Sequence, residues 1–590
     1  MNYALIIVCA VLLLGLIILQ LVSNSWSLNG IKSKTVGDGQ HGTARFATNS
    51  EIRSYYKHVP FEPDRWRDQA RNGTPPELPQ GWVVGANFRF LKPPLAQIET
   101  DDVHIYQEAA AGWYKTTGWL IPAFEYAMAA GQSVFCMDTK GDLARLYGNI
   151  AVNDYHANVV VLDLRNPLRS HSDNLLHLVN KYMDLYHQHD VLAHRAKAER
   201  YAKVLAKTII SPSSKHDYGS NAFFYDAAEG LLAAVILVIA EYARPEERHI
   251  LSVAHLVQEL MSGGGNKVNH FRSLLDMLPR DNKARLFAGA ALAAEGQTVG
   301  SILSTALSRL TDFLDSEMEQ LLCFQSALDA EDFCQRQTAV FLVLPEENPT
   351  THFIASLIVE QLYREILTIA DDMGGKLSRR VLFFLDEFGT MPPIASADMM
   401  FSASRSRRLG IAAICQSRHQ MIDRYGQHGA ATILKNCQIT FAGGFAALDD
   451  SAKEISEALG SRTVMAGSVG RGKHNSENLQ MIGRPLMSPD ELRQLPKGSY
   501  VRMQSGRRPS IFHTRHYTGW GIHFPDDSAF RLPDRRLREV AYADRSAIML
   551  AILEGSHITS AAMIPKMQPQ QEMPAPQQKK ERPTSLLRFD

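Results

Sequence analysis

Residues Val381–Gly389 read VLFFLDEFG. An unbroken apolar run of this length is the signature of a parallel strand buried on both faces. It delivers Asp386 and Glu387 to the strand's carboxyl end, where open α/β sheets hold their ligands. An Asp there can hold Mg²⁺, directly or through water, and a following Glu can orient or deprotonate an attacking water. The same Asp also serves simply to end a strand or cap a helix. Thirty residues on, Gln416 closes the next strand-like run, AICQS. A glutamine at that place either senses a γ-phosphate and positions water or is an ordinary polar strand end. Between the two strands, SASRSRRLG carries Arg405, Arg407 and Arg408. Such a cluster is by default an exposed basic helix end. In a ring of subunits, one of these arginines can act in trans on a neighbour's phosphates.

Working outward, further short apolar runs read as strands: Val103–Tyr106, Ser133–Asp138, Val159–Leu164, Ala339–Pro345, Ile411–Ser417 and Ile439–Gly444. Helical segments separate them. From about residue 175 to 335 strand candidates vanish and long helical periodicity takes over, most clearly at Ala227–Ala243 and Thr298–Leu314. The pattern is one α/β sheet interrupted by an all-helical insertion.

After the first of these strands the chain reads QEAAAGWYKTTGW. Against the phosphate-loop pattern G-x-x-x-x-G-K-[ST], Lys115 and Thr116 are in place, while Ala109 and Tyr114 occupy the two glycine positions. Those glycines let the backbone turn tightly enough to aim its N–H groups at phosphates. An alanine with negative φ is tolerable there. A tyrosine is strained or re-routes the loop. By spacing alone Lys115 is also readable as a helix-start lysine.

The N-terminus suggests attachment. Ala4–Val22 is a nineteen-residue apolar run with Gln20 its one strongly polar member. At about 1.5 Å per residue it just crosses a ~30 Å hydrocarbon core. Tyr3 and Trp26 flank it, and Lys32 and Lys34 follow it, which puts the body in the cytoplasm. A cleaved signal peptide is the alternative, without a basic n-region or an A-x-A site to support it. The 62 Lys+Arg balance 62 Asp+Glu over 590 residues, so no global charge grips nucleic acid, though a local basic patch survives that test. The six cysteines form no C-x-x-C pair, which suits reduced thiols rather than a disulfide or zinc framework.

Taken in order, HGTARFAT (His41–Thr48), DTKGDL (Asp138–Leu143), the helical insertion, VLFFLDEFG, ICQS, ILKNCQITFAGG and GRPLMSPDELRQLPKGSYVRM (Gly483–Met503) resemble the TraG/TraD-type coupling proteins of type IV secretion and conjugation systems. The resemblance covers about residues 1–520. It implies a RecA-like P-loop NTPase sheet with an all-helical insertion, preceded by one N-terminal transmembrane helix in the bacterial inner membrane. It implies ATP and Mg²⁺ as cofactors and a homo-hexamer as the assembly. The implied partners are type IV secretion channel components and a relaxase with single-stranded DNA, or a secreted protein. By position, Lys115 and Thr116 fall on the family's phosphate loop, and Thr116 and Asp386 on its Mg²⁺ site. Glu387 falls on the water-activating position, Gln416 on the phosphate sensor and Arg405 on the finger. Asp138 and Lys140 match an element beside the nucleotide. Relatives often carry two spans, whereas one is evident here.

The expected organisation is an anchor (1–30), a lead-in (31–100), a nucleotide-binding domain in two parts (101–180 and 336–530) around the all-alpha insertion (181–335), a C-terminal helical segment (531–562) and a disordered Pro/Gln/Lys-rich tail (563–590). Two functions fit: an ATP-driven translocation motor, or a nucleotide-poor docking receptor on the same fold without hydrolysis.

Overall fold

The computed structural model describes residues 39–211, 219–261, 267–294, 297–345, 351–391, 393–447, 450–470, 476–525 and 529–555. The expected anchor, Lys32 and Lys34, Cys9 and the tail from Met563 lie outside them. In chain order the strands are β1 (Lys57–Pro60), β2 (Trp82–Arg89), β3 (Lys92–Glu99), β4 (Ile105–Ala109), β5 (Ser133–Asp138), β6 (Asn158–Asp163), β7 (Thr338–Val343), β8 (Val381–Leu385), β9 (Leu409–Cys415), β10 (Ile439–Gly443), β11 (Ser461–Gly470), β12 (Ser476–Pro485), β13 (Ser499–Gln504) and β14 (Ser510–His513).

Nine of them form one sheet in the order β14-β13-β10-β4-β9-β8-β5-β7-β6. From β10 to β6 every pairing is parallel, and β13 and β14 extend the β10 edge antiparallel. The parallel strands are buried nearly throughout, as their unbroken apolar runs require. All seven apolar runs of the sequence are therefore strands of one sheet. The first is shifted: it begins at Ile105 rather than Val103 and ends on Ala109.

The two faces of the sheet carry separate cores. One is continuous with the helical insertion: Phe135, Met137, Phe383 and Ile411 pack in the same cluster as Leu231, Ile236 and Ile302. The other joins Phe124, Phe341 and Phe384 to Trp82 and Trp119. Between His177 and Gln335 the described elements are all helical. Ala222–Tyr242, 21 residues, is apolar and long enough to cross a membrane by length and composition. Its residues from Leu231 to Ala240 are all buried in the body, so it is the core helix of the insertion.

Two segments depart from the sequence reading. Residues before 100, read as a loop-rich lead-in, contain a three-stranded antiparallel sheet, β1-β3-β2, and the helix Pro63–Arg71. That helix docks through a buried ion pair, Arg67 Nη2 to Glu125 Oε2 at 2.6 Å, and Tyr155 also donates to Glu125. Pro93 and Pro94 and Gly85 disguised these strands, since all three residues signal turns in a sequence. At the other end, only Arg545–Glu554 of the expected C-terminal helical segment is helix among its described residues. Residues 529–544 carry no helix or strand and form a strap. Its Phe530 N–H donates to Arg145 O, Asp534 pairs with Arg169, and Arg535 N–H donates to Leu168 O. Beyond that the strap reaches the insertion, where Arg538 N–H donates to Gln320 Oε1, Ala541 O lies 2.8 Å from His249 Nε2 and Ala543 N–H donates to Ser252 Oγ.

Candidate functional site

β4 ends at Ala109, and the chain turns through Ala110–Tyr114 into a wide helical turn, Lys115–Leu120, before the regular helix Ile121–Ala129 begins. Such π-type turns are rare and concentrate at functional sites. Ala109 has no positive φ, so alanine fits there without strain, whereas Gly112 (φ 77°) and Tyr114 (φ 64°) are both left-handed. The second glycine position therefore does demand a left-handed residue, and a tyrosine fills it. Glycines make the room: a Cβ on Gly118 would come 2.8 Å from Tyr114 Cβ, and one on Gly498 would come 3.1 Å from its ring.

The expected residues converge at the carboxyl edge of the sheet. Thr116 Oγ1 donates to Asp386 Oδ2 at 3.1 Å. Lys115 Nζ lies 3.3 Å from Glu387 Oε1, with the lysine almost fully buried. Gln416 Nε2 donates to both Glu387 oxygens, at 3.3 and 3.2 Å. β4 and β8 are not adjacent, because β9 stands between them and carries Gln416 into the gap. Glu387 is itself left-handed (φ 53°), an uncommon state for a non-glycine residue that turns its carboxylate back toward Lys115.

Burial, and then the neighbouring Glu387 carboxylate, push the Asp386 carboxyl up to about 6, against the opposing pull of Lys115 and the Thr116 hydrogen bond. A buried acid held this way is a strong acceptor for a cation. Asp138 sits at the end of β5 on the same edge. Its carboxylate accepts from the N–H groups of Lys140, Gly141, Leu143 and Ala144. It is thus committed to starting the helix Asp142–Asn153. Burial raises its pKa against those four hydrogen bonds. Lys140 is exposed, and its backbone supplies one of the four donors.

Arg405 is not brought to this cluster. It is exposed in the turn Arg405–Arg407 at the amino-terminal end of β9, a seven-residue strand whose other end carries Gln416. At about 3.3 Å per residue the strand separates the two by roughly 20 Å. Any contribution from Arg405 to such a site has to be made to another copy of the chain. Residues that the sequence reading missed also gather here. Trp113 Nε1 donates to Ser499 O, Tyr500 donates to Trp113 O, and the Tyr114 ring lies under Lys497 Nζ at 4.5 Å and 6.4 Å from the His516 ring. The partners of Trp113 and Tyr114 come from the residue pair before β13, from β13 itself and from the segment after β14, nearly 400 residues away. Lys497, Ser499 and Tyr500 fall within the quoted stretch Gly483–Met503, which gives them no role, and His516 lies outside every quoted motif.

The family model described as Type IV secretory system Conjugative DNA transfer matches residues 68–518. The type IV secretion system-coupling protein VirD4 of Bartonella henselae is 21% identical over 464 residues, 77% of this chain and 66% of that protein. The alignment thus spans just under two thirds of that relative. The probable conjugal transfer protein TraG of Sinorhizobium fredii is 25% identical over 221 residues, 36% of this chain and 33% of its own. Among solved structures, the plasmid coupling protein TrwB in complex with ADP and Mg²⁺ superposes with a TM-score of 0.52 at 15% identity, over 85% of this chain and 97% of that one. An unbound form, TrwBdeltaN70, gives 0.51 at 16% identity over 85% and 100%. The large central sheet is therefore the mixed α/β, P-loop NTPase type of fold. A match running from the helix at Pro63–Arg71 through β14, together with this fold, means that the chain belongs to the type IV secretory system conjugative DNA transfer family.

Proposed function

We propose that the chain is an inner-membrane coupling protein, an ATPase that receives a relaxase-bound single DNA strand or a secreted protein and delivers it to the channel of a type IV secretion system. The observation that carries this reading is the cluster itself: Lys115 and Thr116 on one loop, each already in contact with its partner, Glu387 and Asp386, with Gln416 bonded to Glu387. The donor set fits Mg²⁺ and a nucleotide. Thr116 and Asp386 offer two hard oxygens, and Lys115 is a buried ammonium beside them. TrwB in its complex with ADP and Mg²⁺ supports the assignment on a related fold. Mg²⁺ would neutralise phosphate charge.

The chain's own part follows from the contacts. Lys115 is paired to Glu387 and must turn toward phosphate when nucleotide enters. That frees the Glu387 carboxylate, still held by Gln416, to accept a proton from water. Arg405, at the far edge, fits a site on the neighbouring copy in a ring, which supports a homo-hexamer with a site between subunits. The nineteen-residue run Ala4–Val22 supports a single-pass anchor with the body on the cytoplasmic side.

The test is nucleotide binding and hydrolysis by the full chain in detergent. The parent should bind ATP in a Mg²⁺-dependent way. Lys115→Ala should abolish binding, and Glu387→Gln should bind but not hydrolyse. The left-handed Tyr114 favours a second reading, a docking receptor without hydrolysis. That reading prevails if the parent binds no nucleotide.

A further inference from the structure

The order of strands gives the Lys115 loop two sides. β4, which delivers the Lys115 loop, has β9 on one side and β10 on the other. Gln416 and Glu387 stand on the β9 side. A terminal phosphate directed at them leaves the nucleoside end to cross toward β10, β13 and β14. What waits on that side is an aromatic and cationic group built around the one residue that breaks the loop's pattern. The Tyr114 ring lies against Lys497, with Nζ 4.5 Å from its centroid. His516 approaches it edge-on, and His516 and Tyr517 have centroids 4.0 Å apart. Thr514 bonds the carbonyl of Gly118, inside the turn that starts with Lys115, and so fixes the segment Thr514–Tyr517 against the loop. Tyr114 and His516 are each half-buried, leaving ring surface open to solvent.

We propose that Tyr114, Lys497 and His516 form the subsite for the base and ribose of a nucleoside triphosphate, which makes Tyr114 a specificity-determining residue rather than a damaged glycine. The proposal rests on the nucleotide reading above and adds to it. Three features support it. The left-handed backbone at Tyr114 carries a strain of the kind kept at ligand sites. Gly118 and Gly498 are both needed to seat the side chain. Rings and a neighbouring cation are the chemistry that holds a flat, electron-rich base, with little discrimination by sequence of hydrogen bonds. Affinity that a glycine-poor loop gives up at the phosphates is recovered at the base.

The experiment compares ATP with inorganic tripolyphosphate, which has the phosphates and no nucleoside, on the full chain in detergent. The expected result is that the parent prefers ATP by tenfold or more, about 1.4 kcal/mol. Tyr114→Gly should reduce that preference below about threefold while binding tripolyphosphate at least as tightly as the parent does. His516→Ala and Lys497→Ala should lower the preference, and Lys497→Ala, which also removes a cation, should weaken ATP binding more than it weakens tripolyphosphate binding. Tyr114→Phe should keep it. An equal affinity of the parent for both ligands, or an undiminished preference in Tyr114→Gly, overturns the subsite but leaves nucleotide binding standing if Lys115→Ala still abolishes it. A parent that binds neither ligand overturns both.

Discussion

Asp386 concentrates the site's electrostatics in one side chain. Its carboxyl is raised to about 6, whereas a free aspartate titrates near 4. Between those values the folded protein keeps a proton that the unfolded chain has released. Stability contributed here is therefore greatest at low pH, falls as pH rises through the window and stays lower above about 6. Two consequences follow. Asp386→Asn should make the nucleotide-free protein more stable than the parent at pH 8, by roughly 1–3 kcal/mol, with the gap closing toward pH 4. Denaturant titrations at the two pH values measure it, and a gap independent of pH contradicts it. For the same reason Mg²⁺-dependent ATP binding should weaken as pH drops through about 6, because a proton competes for the oxygen that the cation needs. Each partner in this cluster was legible in the sequence, because each ends a recognisable strand or loop. Their meeting was legible too, as the ends of parallel strands on one sheet edge, although the strands that bring Lys115 and Glu387 together across 272 positions are not neighbours, because β9 stands between β4 and β8.

Elements were readable where a single physical signal dominated. The parallel strands announce themselves because both faces are buried, and the helix Ala222–Tyr242 because it is apolar all round. The β1-β3-β2 sheet was hidden because its strands are held by tertiary contacts, among them Trp82 Nε1 to Val103 O, and not by local pattern. The hairpin β11–β12 and the pair β13–β14 were missed for a related reason. They are antiparallel additions at or beyond the edge, with short or polar runs. Within the insertion, Gly230 sits where the core helix meets the helix Lys283–Phe287, and a Cβ there would come 2.4 Å from Phe287 O. Gly230→Ala should push the two helices apart and cost about 1–3 kcal/mol, less the gain in helix propensity. Urea denaturation should register this loss while ATP affinity stays that of the parent. A variant as stable as the parent would mean the contact relaxes freely.

At the scale of the whole molecule, the proposed ring and anchor make two predictions. Arg405→Ala should bind ATP normally yet hydrolyse it poorly. Mixing it with Lys115→Ala should restore part of the activity, because a ring then contains interfaces with an intact loop on one side and an intact arginine on the other. Absence of any recovery in mixed assemblies counts against a finger in trans. Full-length protein should also stay with the membrane pellet after alkaline carbonate washing. Release to the supernatant contradicts an uncleaved N-terminal helix. The strap of residues 529–544 bears on how such a machine would do work. It is fastened to Arg145 and Leu168 on the sheet body at one end and to Gln320, His249 and Ser252 on the insertion at the other. Fastened at both ends, it links the two as a tendon links bone and muscle. Tension along it would pass between the sheet body and the insertion beside the apolar core that the two share.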